Sequence, residues 1–314
     1  MKASFLLLLS SVLLCSCVTR SLENPLLDEN LNGKVKTITI SHYRGQNVSG
    51  AVVAKDYLFS PIISMTPGKD YNSDIVEYNK FGSVAKLYFG KDGLFDSINI
   101  YDKHLNLIYK SIYNQKGKLS KQMRYQDGII NDINDYMYQG DCLIECTHKD
   151  KWGESSTKYK SNSKGVVEEI IDYNEDGIIE WKQTNTIENN RIVKSILYPG
   201  IYLHPEYYED LEDSENVQPT VTTYTYQDDK LSVIERTKGT DKSVYYINEH
   251  GNIEKCDINY TPFQYYYNAN NDLEMRNDLY HFEYEYDDKS NWTKRISYHN
   301  SKPLQLDLRE IEYY

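Results

Sequence analysis

The sequence predicts an all-β protein, an antiparallel meander of hairpin repeats in a sheet able to curve or partly close, with very little helix. Three observations predict it. Tyrosine is enriched, 31 Tyr against 7 Phe, and Tyr suits a pleated, half-buried surface while keeping a hydroxyl for the wet side. Side chains alternate with a period of two: Phe282, Tyr284 and Tyr286 face one way, Glu283 and Glu285 the other. Thr222, Tyr224 and Tyr226 repeat this, as do Leu304, Leu306 and Leu308. Finally, a short unit, Y-[ND]-x-x-G-x-[LIV], recurs along the chain, and no amphipathic run is long enough for a substantial helix.

Residues 1–16 have the anatomy of an export signal: Lys2, then an apolar run from Phe5 to Leu14, too short for the roughly 20 residues that cross a bilayer. The run ends in Leu14-Cys15-Ser16-Cys17, which resembles a bacterial lipobox with Cys17 as the lipidated residue. The other reading is an ordinary cleaved signal with a chance Cys. Several acyl chains on one Cys hold a protein at a membrane without a spanning helix, each buried methylene contributing about 0.8 kcal/mol. No second long apolar run follows. Residues 17–33 read as a tether, and GKVKTITISHY, 33–43, as the first strand.

The repeats then run through an N-terminal β-region, 34–198, with copies led by Tyr78, Tyr101, Tyr113, Tyr125 and Tyr173. Spacing is 12 residues from Tyr101 to Tyr113 and again to Tyr125, which leaves about eight residues of strand around a four-residue turn. Asn or Asp after the Tyr hydrogen-bonds to backbone ahead of it, and Gly accepts the positive φ of the turn. Residues 199–220 interrupt the register with three Pro and six acids within 206–215, and read as an exposed loop. A C-terminal β-region, 221–314, carries copies at Tyr226, Tyr246, Tyr267 and Tyr286, now about 20 residues apart. The apolar phase slips between Leu308 and Ile311, which predicts a bulge near Arg309-Glu310.

Y-[ND]-x-x-G-x-[LIV] resembles the YD repeat of Rhs and teneurin-type proteins, best at Tyr113-Asn114, Gly117 and Leu119. The closing YEYDDKSNWTKRISY and REIEYY resemble the ends of small YD-like lipoproteins of Bacteroidetes. The resemblance spans about residues 75–314 and implies fold more than function. Leu105 and Ser290 stand where the turn Gly belongs, and the chain is far too short for a toxin-enclosing shell.

Chemistry is sparse. A formal net charge of −12 with no basic cluster argues against a nucleic-acid partner. There is no P-loop, G-x-S-x-G, H-E-x-x-H or G-x-G-x-x-G, and the seven His are scattered. Beyond Cys17, Cys142, Cys146 and Cys256 cannot form a complete disulfide framework. On one strand face Cys142 and Cys146 would lie about 13 Å apart. IDYNEDGIIEW, 171–181, offers Asp172, Asn174, Asp176 and Glu180 as a calcium candidate, the one cofactor to consider. However, position 12 of such a loop is Gln183, not a bidentate Glu, and the segment falls on the repeat register as a turn.

Trp152, Trp181 and Trp292, with Tyr207 and Tyr208, are candidates to stack on sugar rings; the plainer reading is cross-strand pairs covering one another. The expected function is a lipid-anchored envelope protein, at the outer membrane, that binds or scaffolds a glycan or another envelope protein. A carbohydrate hydrolase with paired carboxylates, or a structural spacer, are the alternatives.

Overall fold

The structure, a computed structural model, describes residues 31–49, 51–57, 83–203 and 218–314. Cys17, the export signal, most of the tether, Tyr78, Tyr207 and Tyr208 lie outside them. The chain forms two compact units. Asp132–Phe263 builds the first, called here the inserted unit; the described residues of 20–131 join Gln264–Tyr314 in the second, the split unit.

In chain order the strands are β1 Val35–Val48, β2 Ala51–Tyr57, β3 Val84–Phe89, β4 Phe95–Tyr101, β5 Leu107–Tyr113, β6 Leu119–Gln126 and β7 Ile129–Gln139. There follow β8 Cys142–Asp150, β9 Glu154–Ser161, β10 Val167–Tyr173, β11 Ile179–Glu188 and β12 Arg191–Pro199. After a single helical turn, α1 Gly200–Leu203, come β13 Thr220–Gln227, β14 Lys230–Lys238, β15 Asp241–Ile247 and β16 Ile253–Ile258. The last are β17 Thr261–Tyr267, β18 Leu273–Arg276, β19 Tyr280–Tyr286, β20 Trp292–His299 and β21 Lys302–Tyr313. The protein is all-β and antiparallel, as its sequence predicts.

Within the split unit, sheet neighbours run β17, β18, β19, β20, β21, β1, β3, β4, β5, β6. β1 is central. Its Thr37–Ser41 pairs with β3, and its outer half pairs with β2 on the same side. Within the inserted unit the order is β7 through β16, each paired to the next in sequence. β12 and β13 pair directly, Leu197 opposite Thr220, so the chain before and after the acidic segment belongs to sheet neighbours. The two units divide at 131/132 and 263/264.

One turn recurs, and it explains the repeat. At Asp102, Asn114, Asn162, Asn174, Asn248, Asn268 and Asp287 the first residue donates its N–H to the carbonyl four residues on and accepts from the N–H three residues on. In each, its side-chain Oδ1 also accepts from the N–H groups two and four residues ahead, at 2.8–3.1 Å. The fourth residue has positive φ: Gly117 71°, Gly177 75°, Gly251 84°. Leu105 and Ser290, where Gly is missing, adopt the same conformation at 63°.

A second class of turn has two residues, both with positive φ: Asp127-Gly128, Asn189-Asn190, Asp228-Asp229, Asn277-Asp278 and Asn300-Ser301. This is the mirror-image hairpin turn that matches strand twist. The Tyr125 and Tyr226 segments, which the repeat pattern groups with the others, end in this class. The two classes account for the change of spacing. Five-residue turns at successive strand ends give 12 residues per Tyr; alternation with two-residue turns, as from β15 to β21, puts two strands between Tyr residues and gives about 20.

The split unit packs Ile38, Ile40, Leu87, Phe89, Phe95, Ile98 and Ile100 on one face. The Phe95 ring lies 4.7 Å from that of Phe89 and 5.1 Å from that of Tyr113. In the inserted unit Val167, Ile170 and Trp181 pack with Tyr159 and Leu197. Exposed strand positions carry Lys–carboxylate pairs such as Lys294–Glu285 at 2.6 Å and Lys149–Glu154 at 2.9 Å. Each is worth little in water.

Two sequence expectations are corrected. β21 pairs with β1 without interruption from Gln305 to Glu312, so no bulge falls at Arg309-Glu310; the irregularity lies on β1, between Val35 and Thr37. The apolar spacing misleads because both faces of β21 are buried at its centre: Leu306 on one, Gln305, Asp307 and Arg309 on the other. Cys142 and Cys146 do not share a face. A bulge in β8 sets them opposite Gln139 and Tyr136, three residues apart on β7 and therefore on opposite faces.

Candidate functional site

Two neighbouring five-residue turns of the split unit, 268–272 and 287–291, frame a pocket. It has a volume of about 60 Å³ and is lined by Asn32, Asn270, Asp272, Ser290, Asn291, Trp292 and Arg309. The turns set the lining. Asn270 and Ser290 occupy the exposed third and fourth turn positions, whereas Asp272 and Asn291 both stand at the fifth. Trp292 opens β20, and Arg309 arrives from β21.

The walls are tied together. The Asn291 side chain accepts from the Asn32 N–H at 2.7 Å and donates to the Asn32 carbonyl at 2.8 Å and to Tyr313 Oη at 2.7 Å. Tyr313 in turn donates to Asp287, while Tyr286 donates to Asp272 Oδ2 at 2.8 Å. The Arg309 guanidinium lies 3.5 Å from the centre of the Trp292 ring, a close cation–π contact. Burial and the Asp287 carboxylate push the Tyr313 hydroxyl up to about 12.

Behind the pocket a buried polar row crosses the sheet. In register, His42 of β1 faces Asp307 of β21, which faces Arg295 of β20, which faces Tyr284 of β19. Asp307 accepts from His42 Nδ1 at 2.6 Å, from Gln305 Nε2 at 2.7 Å, and from Arg295 Nε and Nη2 at 2.9 and 2.7 Å. His42 is 1 % exposed and Asp307 0 %. Burial alone would raise the Asp307 carboxyl, but Arg295 and His42 hold it well below the usual carboxylate range. Burial pushes the Tyr284 hydroxyl up, and it donates to the Leu273 carbonyl at 2.8 Å. The Arg295 guanidinium also lies 5.5 Å from the Trp292 ring, so the row runs continuously into the pocket wall.

Of the predicted stacking residues, Trp152 and Trp181 belong to the inserted unit and Trp292 to the split unit. Trp181 and Trp292 are buried, 6 % and 7 % exposed, and cannot offer their faces to a glycan from solvent. Trp181 is a core residue; Trp292 is held by guanidinium groups. Trp152 is 75 % exposed at the β8–β9 turn, with Lys151 Nζ 4.8 Å from its ring.

IDYNEDGIIEW is a hairpin of the common kind. Asn174 spends its Oδ1 on the N–H groups of Asp176 and Ile178, and Gly177 donates to the Asn174 carbonyl. Asp172 faces inward and accepts from Thr157 Oγ1 at 2.5 Å. Burial pushes its carboxyl up to about 6, opposed by Thr157 and reinforced by the charge of Glu180. Glu180 is itself raised, by burial and then by Glu175. Among the described residues no three His, Cys, Asp or Glu side chains are grouped to hold a metal ion.

None of the pocket residues except Trp292 was signalled by sequence. The available signal was positional: aligning the turns places Asp272 and Asn291 at one equivalent site in adjacent copies.

No known protein-family model matches the chain, and no curated protein matches it in sequence. Among solved structures it is similar to a porin-like protein from Bacteroides uniformis ATCC 8492, at 9 % identity and a TM-score of 0.32, covering 90 % of this chain and 99 % of that one. A porin-like protein from Bacteroides vulgatus ATCC 8482 matches at 10 % identity and 0.24, over 89 % and 98 %. A protein of unknown function from Bacteroides fragilis NCTC 9343 matches at 12 % and 0.15, over 54 % and 88 %. Likeness at this level assigns the chain neither a family nor an activity.

Proposed function

We propose that this chain is a lipid-anchored module of the bacterial cell envelope, at the outer membrane, that binds or scaffolds a glycan or an envelope protein without catalysing a reaction. The anchor is Cys17, and the turn unit is a divergent YD-type repeat. The observation that carries the binding reading is the pocket of the split unit, where Asn32, Asn270 and Ser290 stand exposed over a wall held rigid by its own hydrogen bonds.

The test has two arms: a glycan array probed with the full-length protein, and cross-linking in intact envelopes. Saturable glycan hits or a reproducible envelope-protein partner support the reading. A spacer gives neither, and hydrolysis of a bound glycan supports the hydrolase instead.

A further inference from the structure

We propose that the split unit docks on a lipid bilayer through the hairpin tips at one end of its sheet, inserting apolar side chains among neutral lipid headgroups. This rests on the envelope placement in the reading above, not on the acyl chain, and adds to it a face of the fold. The tips belong to the β1–β2, β4–β5, β6–β7 and β18–β19 hairpins, which successive antiparallel pairings bring to one end. They present Val48, Leu105, Ile129, Ile130 and Leu279 to solvent, Leu105 60 % exposed and Ile129 72 %. Turns at the other end present Asp92, Lys116, Asn270 and Asp288 instead. There the exposed rings are Tyr266, on a strand, and Tyr314, whose hydroxyl is tied to the Phe89 carbonyl.

The apolar tips are kept against the local backbone preference. Leu105 holds φ 63° where equivalent turns use Gly, a conformation strained for a residue with a Cβ. Neither folding nor solubility gains from an exposed Leu there, so its side chain answers to something outside the chain. The inserted unit, taken alone, behaves alike. Trp152 and Tyr260 are exposed at the hairpins after β8 and β16, at one end of its sheet, and Tyr260 holds φ 67°.

Lipid suits these tips better than a protein partner does. Polar residues stand beside each one, Lys103 and His104 before Leu105, Asp127 two before Ile129 and Asp278 before Leu279. The described tips are therefore separate apolar points, whereas the core of a protein interface is one closely packed patch depleted of charge. A bilayer accepts separate side chains and leaves their polar neighbours among headgroups. Trp and Tyr, which the inserted unit offers, settle at that same depth. Charge selects the lipid: −12 overall repels anionic headgroups, so the contact is apolar and fits a zwitterionic surface. The anchor permits it. β1 starts at the opposite end and has 14 residues, roughly 48 Å of strand. Residues 18–34, fully extended, reach at most roughly 60 Å.

The experiment places the full-length protein, expressed for export, with phosphatidylcholine nanodiscs and follows Ile, Leu and Val methyl resonances by NMR as spin-labelled lipid is added. The Leu105, Ile129, Ile130 and Leu279 methyls should lose at least half their intensity, at low salt and at 1 M alike. Those of Leu94 and Leu119, at the other end, should keep theirs. Leu105→Asp combined with Ile129→Asp, verified as folded by its thermal transition, should at least halve the loss at Leu279. Tips that keep full intensity, equal losses at both ends, or losses unchanged by the double substitution would each overturn the proposal. Acylation of Cys17 is read separately, by mass. An acylated protein whose tips stay sharp keeps the anchor and sinks the docking; an acyl-free protein whose tips broaden does the reverse.

Discussion

Substituting Asp307 should unfold the split unit more than any other single polar change there. Its carboxylate accepts from His42, Gln305 and twice from Arg295, and none of these groups can turn to water. Asp307→Asn replaces one acceptor with an NH₂ group facing donors and leaves the Arg295 guanidinium, 3 % exposed, without its counter-charge. Breaking a buried ion pair by removing one partner costs about 3–5 kcal/mol. For a domain of 150–250 residues, each kcal/mol moves Tm by roughly 2–4 °C, so the transition should fall by roughly 6–20 °C.

The assay is thermal and urea unfolding, followed by circular dichroism. Because the pair is buried, 1 M salt should not close the gap. The sign of the pH dependence is fixed as well. A carboxylate lowered on folding stabilises above its unfolded pKa of about 3.9 and loses that contribution only as pH falls through its folded value. The Asp307 carboxyl itself therefore gives the deficit of Asp307→Asn no pH dependence between pH 5 and pH 8. The double substitution Asp307→Leu, Arg295→Met should recover only the part of the loss that comes from the uncompensated charge, because His42 and Gln305 still lose their acceptor. A Tm within about 2 °C of the unsubstituted protein would refute the reasoning.

Asp172 should behave oppositely. Its folded value of about 6 lies above the unfolded one, so its favourable contribution is complete below about pH 4 and is lost as pH rises through 6. Asp172→Asn should stabilise by up to about 2 kcal/mol at pH 8 and by nothing measurable at pH 4, read from urea midpoints. Leu105 holds a left-handed conformation, φ 63°, with its side chain exposed; Leu105→Gly should raise Tm, the relieved strain being about 1 kcal/mol. Asn174→Ala removes two side-chain bonds to turn amides and should destabilise by about 1 kcal/mol, equally with and without calcium.

The turns were legible because their chemistry is local. Asn114 and Gly117 supply the side-chain acceptor and the positive φ within four residues, and no distant partner is needed. Strand existence followed from alternation, as at Phe282, Tyr284 and Tyr286. The division into five- and two-residue turns was also written locally, in pairs such as Asn277-Asp278 and Asn300-Ser301, but the leading Tyr hid it.

What failed was anything set by long-range pairing. Gln305, Asp307 and Arg309 alternate with leucines and read as a solvent face. They are buried because His42 lies across the ladder, 265 residues away. Trp181 and Trp292 were open to two readings, stacked on sugar or covered by neighbours, and they are buried; nothing near them in sequence shows what covers them. The candidate pocket shares this fate: Asn32 and Arg309 reach it only through the pairing of β1 with β21.

The most direct test of the account is a crystal structure of the protein grown with millimolar calcium. The account predicts 171–181 as a metal-free hairpin, with the Asn174 side chain on the Asp176 and Ile178 amides and Asp307 buried against His42 and Arg295. An ion held by Asp172, Asn174, Asp176 and Glu180, or those turns replaced by helix, would contradict it.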